Sequence, residues 1–446
     1  MSLFELTHSE TMARFAGIPG PPPSLPLGNA AELLERWPWE VAADWGRLYG
    51  GMALAWLGGT PAIVLNDPDL IGCVLDSESA NYYKGDPHDA VAPVITPDEL
   101  FISNGEQWKS LRSTSPLNRP YTANWLQDQS VSLRAFAGDS AEALVGQSAD
   151  DLIEPIRRLV YDLISVAVWG EPLGDDNFNE FLKMARVGNR RLQEPPFLQQ
   201  VPPLDPVFYL DRERWYAGFR ERVEKVMADP SRAGNSLLGL ALRAGGMSAT
   251  DLAQFLSAGV YFGGVFSVSA GIAHTLRFLH REPRYLVELL KLDAVTLQGS
   301  ESLDHALRES LRLSPPVTLW FRNVNRETAA TLGGHTLPPG TLLFLTNWLL
   351  HRDPTYWTNA EEYRPERWAN GGVERDPPGS GHFFPFGRGP RTCIGQDFAF
   401  VLMKLVLATL LSRTRLQLDL SYGLESDFFF AVQHPKKMSA KIEPKS

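Results

Sequence analysis

The segment from Phe384 to Gly395, which reads F-P-F-G-R-G-P-R-T-C-I-G, constrains the fold of this chain more than any other feature. It is followed directly by an apolar segment, Gln396 to Leu411, whose pattern predicts a helix. Cys393 is therefore expected at a helix N-terminus, where unpaired backbone N–H groups and the helix dipole favour a thiolate. A thiolate is the soft, anionic kind of ligand that suits iron.

Other residues of this loop suit a flat cofactor that carries a carboxylate. Gly387, Gly389 and Gly395 let the backbone pass close to such a cofactor, and Arg391 can meet its carboxylate. Phe386 is expected to cover the sulfur and to keep water away. A dinucleotide-binding turn is the wrong interpretation, because the G-x-G-x-x-G spacing does not occur and no buried strand precedes the loop.

The loop resembles the heme-binding signature of the cytochrome P450 family, F-x-x-G-x-R-x-C-x-G, at all of its fixed positions. The matching residues are Phe386, Gly389, Arg391, Cys393 and Gly395. An accidental match at so many positions has a probability on the order of one in ten thousand. The resemblance implies heme b, with Cys393 as the axial ligand to its iron. It also implies the family's fold, which is mainly α with small β-sheets (α+β), a triangular, helix-rich prism around a buried heme.

A second resemblance concerns a pair of charges. Glu309 and Arg312 are three residues apart on a predicted helix, so both side chains lie on one face. Taken alone, such a pair is typical of a solvated helix surface. The pair resembles the family's E-x-x-R motif, and Pro365 to Trp368 resembles the segment whose arginine, here Arg367, completes that network. The resemblance implies that these residues hold the heme-binding core together and do no chemistry.

Three further residues are candidates to bind the heme propionates. Trp108 and Arg112 resemble the family's W-x-x-x-R, although the alternative is an ordinary amphipathic turn. Arg322 lies ten residues after Arg312, where the family often places another propionate-binding arginine. The only other cysteine, Cys73, has no such setting and is predicted to be a core residue.

The predicted central helix departs from the family's [A/G]-G-x-[D/E]-T-[T/S], whose acid and first alcohol relay protons to iron-bound dioxygen. Gly263-Gly264 lies 20 residues before Pro283, the usual distance, whereas Ala258-Gly259 lies 25 residues before it. The first register puts Phe266 at the acid and Ser267 at the alcohol. Serine can donate a hydrogen bond, but phenylalanine cannot carry a proton. Either the relay is broken, or Phe266 only shapes the pocket while water delivers protons.

Hydrophobic periodicity and turn residues predict one large α-rich domain over residues 1–446. Residues 1–26 are expected to form a proline-rich lead-in, extended from Ile18 to Pro26, with the folded body starting after it. The other predicted elements are a hairpin of Met52–Leu57 with Ala62–Leu65, helices over Trp125–Leu313 including the stretches Leu252–Leu279 and Tyr285–Leu313, a loop at Glu194–Pro206 and a strand at Thr341–Leu345.

Composition indicates the cellular environment and the kinds of partner that are expected. Two cysteines favour a reducing, cytoplasmic environment, and a net charge of −10 argues against nucleic acid as a partner. Residues Met1 to Phe15 carry no apolar run of signal-peptide or membrane-span length, so no anchor is expected. The overall expectation is a soluble, bacterial-type, monomeric member of the family.

The favoured function is a monooxygenase that inserts one oxygen atom of dioxygen into a C–H bond of a hydrophobic small molecule. Only 53 residues follow Cys393, so no fused reductase is expected. Electrons would come from a separate ferredoxin or flavoprotein that docks near Lys109, Arg388 and Lys404. The predicted pocket-lining residues are Phe262, Phe266, the segment Val91–Phe101 and the segment Val317–Trp320.

Two other functions stay open at this stage. The first is a heme-thiolate peroxygenase, peroxide isomerase or dehydratase, because the usual acid and alcohol are replaced by Phe266 and Ser267. The second is a non-catalytic heme sensor that binds a ligand without reaction.

Overall fold

The computed structural model describes residues 3–85, 88, 99–193, 206–371, 381–422, 426–429 and 432–445. The predicted loop at Glu194–Pro206, apart from Pro206, lies outside the described residues. The same holds for Val91 to Asp98 of the predicted pocket segment.

The described helices are α1 Leu3–Ala13, α2 Ala30–Glu35, α3 Pro38–Tyr49, α4 Pro68–Gly72, α5 Gly105–Thr114, α6 Arg119–Leu144, α7 Ile153–Trp169, α8 Gly174–Gln193, α9 Pro206–Ala228, α10 Leu237–Ala244, α11 Ala249–Gln254, α12 Gly263–Arg281, α13 Pro283–Leu289, α14 Ala294–Gly299, α15 Glu301–Leu313 and α16 Gln396–Arg413. The described strands are β1 Met52–Leu57, β2 Thr60–Leu65, β3 Tyr82–Tyr83, β4 Ser148–Ala149, β5 Leu319–Val324, β6 Ala330–Leu332, β7 His335–Leu337, β8 Leu342–Thr346, β9 Thr414–Leu418, β10 Ser426–Phe429, β11 Val432–Pro435 and β12 Ala440–Pro444.

The chain divides into two compact units, of which the first comprises Met1–Asp89, Val317–Glu362 and Gly371–Cys393. Its five-stranded sheet has the order β1-β2-β8-β5-β3. The predicted hairpin is observed as the antiparallel pair β1 and β2, with Leu57 opposite Thr60. The second strand starts at Thr60, because Gly58, with a φ of 63°, and Gly59 suffice for the turn. The predicted strand at Thr341–Leu345 is observed as β8, shifted by one residue.

The prediction that the folded body starts after Pro26 is wrong. Helix α1 precedes the proline-rich segment, and Phe15 and Ile18 belong to the buried core of the first unit. The carbonyl of Pro19 accepts a hydrogen bond of 2.8 Å from the N–H of Leu54 in β1. Proline lacks a donor but keeps its acceptor, so an extended proline-rich segment can still pair with a strand.

The second unit comprises Ala90–Pro316, Tyr363–Asn370 and Ile394–Ser446 and is mainly helical. Its longest helical stretch joins α11, a π-helical segment at Phe255–Phe262, and α12. This central helix, Ala249–Arg281, is long and apolar enough to cross a membrane by length and composition, but 78% of its most apolar window is buried within the protein. The core helix of a water-soluble protein meets the same criteria, so this is weak evidence for a span.

The predicted helical stretch Tyr285–Leu313 consists of three helices, α13, α14 and α15. The side chain of Asp293 caps α14 by accepting from the N–H groups of Val295 and Thr296. Ser300 caps α15 in the same way, by accepting from the N–H of Leu303. Side-chain caps of this kind start a new helix, and apolar periodicity alone does not reveal them.

Candidate cofactor and active site

The cysteine loop, Phe384–Gly395, closes on its own backbone. The N–H of Cys393 donates a hydrogen bond of 2.8 Å to the carbonyl of Phe386. Helix α16 begins three residues after Cys393, with Gly395 as its N-cap, so the predicted helix start is confirmed. The side chain of Cys393 is exposed. Its backbone is fixed by this hydrogen bond shortly before a helix N-terminus, a position that favours the thiolate form of a cysteine.

Two glycines of the loop are required by geometry. Gly389 has a φ of 73°, and a Cβ on it would lie 2.0 Å from the carbonyl oxygen of Leu75. Gly387 has a φ of 75°, and a Cβ on it would lie 3.4 Å from Nε1 of Trp320. Gly395 has a φ of −89°, so its backbone conformation does not require glycine. The loop is thus fitted closely to neighbouring backbone at Gly389.

Trp320, which was predicted to line the substrate pocket, packs against the cysteine loop. Its ring centroid lies 5.5 Å from that of Phe384, in addition to its contact with Gly387. Val317, in the same predicted segment, is half-buried. The contact gives Trp320 a role in supporting the loop that the sequence did not indicate, and its place in a substrate pocket stays a prediction.

Arg322 is a buried cation in the first unit, only 5% exposed. Its Nη1 donates a hydrogen bond of 2.7 Å to the carbonyl of Phe321. Burial and the positive charge of Arg391 lower the pKa of Arg322 to about 9. No carboxylate of the described residues appears among the charges that act on it. A buried guanidinium in this situation is stabilised by an anionic group.

His88 lies close to these cations, and no motif in the sequence marks it as a site residue. This histidine is buried, and burial lowers its pKa well below the ordinary value, as do the positive charges of Lys84, Arg322 and Arg391. The first unit therefore gathers a cationic site from these residues. Its charge and burial fit the carboxylates of a heme, and the thiol of Cys393 fits its iron.

Glu309 forms a fully buried network in the second unit. Its carboxylate accepts hydrogen bonds from Nη2 of Arg312 at 2.8 Å and from Nε of Arg367 at 2.9 Å. It also accepts from Nε1 of Trp368 at 2.9 Å and from the N–H of Arg364 at 3.0 Å. The side chains of Glu309, Arg312 and Arg367 are 0% exposed. The structure thus brings together the residues predicted to form a structural network.

Trp108 and Arg112 lie one turn apart on α5, in the second unit. Both are half-buried, as expected for residues that share the inner face of an amphipathic helix. Their role in binding a propionate stays a prediction.

The central helix has a partly exposed stripe. Gly259, Gly263, Gly264 and Ser267 are partly or fully exposed, whereas the residues between them are buried. A Cβ placed on Gly263 would meet no atom of the described part of the chain within 4 Å. The hydroxyl of Ser267 donates a hydrogen bond of 2.7 Å to the carbonyl of Gly263. Ser267 therefore lies on a partly exposed, glycine-rich strip of the helix surface, which we call the helix groove.

Phe266 does not face the helix groove. It is 2% exposed and stacks on Phe181 at 5.2 Å between ring centroids. The ring of Phe429 also lies at 5.2 Å, and Cζ of Arg157 lies 5.0 Å from the centre of the Phe266 ring. The position predicted for the acid is thus occupied by an aromatic core residue under a cation–π contact.

The prediction that Phe262 lines the substrate pocket is not supported by its packing. Phe262 is 4% exposed and lies in the same aromatic core, 5.0 Å from Phe181 and 6.2 Å from Trp215 between centroids. The π-helical segment that ends at Phe262 changes the angle between successive side chains, so α-helical spacing does not predict its direction.

The three cations predicted to attract a redox partner each lie near a carboxylate. Lys109 pairs with Glu106 at 2.6 Å, and Arg388 lies 3.7 Å from Asp76. Lys404 lies 3.5 Å from Asp304, and its side chain is only 17% exposed. The contribution of Lys404 to a docking surface stays a prediction.

Comparisons with known proteins agree with this arrangement. A family model described as Cytochrome P450 matches residues 18–442. The chain is 26% identical to cytochrome P450 3A13 of Mus musculus, with 92% of this chain and 88% of that protein covered. It is 28% identical to cytochrome P450 72A397 of Kalopanax septemlobus, with 84% and 77% covered. The crystal structure of the cytochrome P450DA heme domain has a TM-score of 0.82 at 19% identity and covers 96% of this chain and 97% of that one. The predicted fold class is confirmed.

Proposed function

This chain belongs to the cytochrome P450 family, and we propose that it is a heme-thiolate monooxygenase that oxidises a hydrophobic small molecule with dioxygen. Members of this family are in general heme-thiolate oxidoreductases. The substrate class, the oxidant and the electron donor of this chain are parts of what we propose. The observation that carries it is the exposed thiol of Cys393, fixed by backbone at a helix N-terminus within a unit that also holds a buried cationic site.

The residues of the proposed cofactor site have distinct tasks. Cys393 provides the thiolate ligand, and the glycines of its loop let the cofactor approach the backbone closely. Arg322 and Arg391 neutralise carboxylates, and the neutral ring of His88 can donate a hydrogen bond to one of them. Trp108 and Arg112 are further propionate ligands in this proposal. The bound cofactor, heme b in this proposal, supplies the activation of dioxygen and the oxidation of the substrate.

Ser267 is the proposed proton donor on the substrate side. Its hydroxyl already hydrogen-bonds the helix backbone and lies in the open helix groove, where water can reach it. Phe266 is packed away from the groove, so it neither carries a proton nor blocks water from Ser267. In this proposal water replaces the missing carboxyl group.

Electrons come from a separate ferredoxin or flavoprotein in this proposal, since members of the family generally need a redox partner. Arg388, which follows Gly387 in the cysteine loop, is the cation best placed for docking. We further propose a monomer that functions in the cytoplasm.

A peroxide-dependent enzyme is the second candidate. The observation in its favour is that the acid position is filled by Phe266 with Arg157 over its ring, so the central helix offers no carboxyl group there. Such an enzyme would use a peroxide, in which the oxygen is already partly reduced. It would therefore need fewer protons delivered to that oxygen.

One comparison of product yields decides between the two candidates. For a monooxygenase, Ser267→Ala should sharply lower the product formed per reduced nicotinamide consumed and raise hydrogen peroxide release. Phe266→Glu should not improve that ratio, because this position is packed away from the groove and Arg157 beside it already pairs with Glu154. The matched control is Ser269→Ala, since Ser269 is buried and donates only to the carbonyl of Phe266 at 3.0 Å. Product formed from added peroxide alone, unaffected by Ser267→Ala, would establish the second candidate.

A further inference from the structure

The carboxylate of Glu99 reaches the same face of the central helix as Ser267. Glu99 is only 2% exposed. Its Oε2 accepts a hydrogen bond of 2.5 Å from the N–H of Phe101. A Cβ placed on Gly259 would lie 2.9 Å from Oε1 of Glu99, so this oxygen points at the helix surface and glycine makes room for it.

Gly259 and Ser267 mark the two ends of the helix groove. Gly259, Gly263 and Ser267 are all partly or fully exposed, so they lie along one strip of the helix surface. Eight residues separate the two ends by at most about 12 Å, the length at the α-helical rise of 1.5 Å per residue, because the π-helical part at Gly259 rises less. Among the described residues, no heavy atom lies within 4 Å of a Cβ built on Gly263, so the middle of this strip is open there.

A second polar group lies near Glu99. Burial raises the pKa of Tyr216 in α9 above its ordinary value, and the negative charge of Glu99 raises it further. The phenol of Tyr216 therefore stays protonated and can donate a hydrogen bond. Glu99 and Tyr216 thus provide two polar groups at the Gly259 end of the helix groove.

We infer that Glu99 is the polar anchor of the substrate site, and that it selects an apolar molecule about 12 Å long with a hydroxyl or cationic group at one end. This inference rests on the proposed function, because it takes Ser267 to mark the end at which the substrate is oxidised. A buried carboxylate is stabilised by a donor or a cation and is destabilised by a second carboxylate. Glu99 therefore also acts against molecules whose far end is a carboxylate.

The test is a spectral titration of the holoenzyme, in which the heme spin state reports the binding of three probes with equal chains. The probes are decyltrimethylammonium, decan-1-ol and decanoate, and neither of the first two has a basic nitrogen that could ligate iron. The parent should bind both more tightly than decanoate. Glu99→Gln, which keeps an acceptor for the N–H of Phe101, should weaken the cation by about tenfold or more and strengthen decanoate. Glu106→Gln, at an 87% exposed carboxylate on α5, should change none of the three affinities.

A second variant tests the inference without any change at Glu99, in case Glu99→Gln does not fold. Gly259→Ala keeps the charge but places a methyl group against Oε1, so it should weaken the alcohol and the cation together. Tightest binding of decanoate by the parent, or an equal change for all three probes in Glu99→Gln, would overturn the inference. Spin-state titration uses neither electrons nor an oxidant, so such a failure would leave the proposed function standing. Failure of the proposed function would appear only in the product yields.

Discussion

Two buried clusters of charged residues, one around Glu309 and one around Arg322, differ in the charges that surround them. In the second unit, the Glu309 carboxylate has the guanidinium groups of Arg312 and Arg367 as partners, all of them fully buried. In the first unit, burial and the charge of Arg391 lower the pKa of Arg322 to about 9, with no carboxylate of the described residues acting on it. The Glu309 cluster has its opposite charges within the protein, whereas in the proposed function Arg322 pairs with a carboxylate of the bound cofactor. A buried charged residue with no opposite charge nearby indicates a binding site more specifically than burial alone does.

The largest expected effect is on the complete cluster. Glu309→Ala leaves two guanidinium groups buried without their carboxylate, which should lower the free energy of unfolding by roughly 3 to 5 kcal/mol. Urea denaturation measures this. Glu301→Ala, in the exposed first turn of the same helix, is the control and should cost less than about 1 kcal/mol. An unchanged unfolding free energy for Glu309→Ala would mean that the cluster is not structural.

The incomplete cluster should respond in the opposite way. Arg322→Leu removes a desolvated charge, so the free energy of unfolding of the heme-free protein should stay the same or rise. Heme affinity should fall by about 1.5 to 3 kcal/mol, the usual value of a charge-assisted hydrogen bond. Hemin titration and urea denaturation of the same samples separate the two effects. Arg312→Leu is the matched control and should destabilise the heme-free protein. Equal destabilisation by both arginine substitutions would remove the distinction between the clusters.

A smaller effect is expected from pH. Because the pKa of His88 in the folded heme-free protein is lowered well below the ordinary value, the unfolded chain takes up a proton that the folded chain refuses. The stability contributed by neutral His88 is therefore present above about pH 6.5 and is lost as the pH falls, by up to about 1.4 kcal/mol per unit. His88→Asn should show a shallower loss between about pH 6.5 and 5. Parallel pH profiles of the two heme-free proteins in urea denaturation would contradict this account.

Residues whose partners are close in sequence could be found from the sequence. The helix that follows Cys393, the i,i+3 pair of Glu309 and Arg312 and the hairpin of β1 and β2 all rest on local spacing, and the structure has them. The family resemblance added Arg367, which lies 58 positions from Glu309.

Residues whose role depends on distant neighbours could not be found in this way. No pattern in the sequence around His88 indicates a role for it. Its environment is evident only from the charges of Arg322 and Arg391, which are distant in the sequence and near in the structure. The contact of Arg157 with Phe266 joins two helices, and no pattern within either helix announces it. The side-chain directions in the π-helical segment, which ends at Phe262, could not be predicted either, because this segment departs from the 3.6-residue period.

The most direct test of the account is the absorption spectrum of the reduced protein with carbon monoxide, measured for single substitutions of its two cysteines. The parent should show the red-shifted Soret band that is diagnostic of a thiolate ligand to heme iron. Cys73→Ser should keep the band, because Cys73 packs against the core of the first unit. Cys393→Ser should abolish it. A band that survives Cys393→Ser, or that disappears with Cys73→Ser while the protein stays folded, would contradict the assignment of Cys393 as the iron ligand.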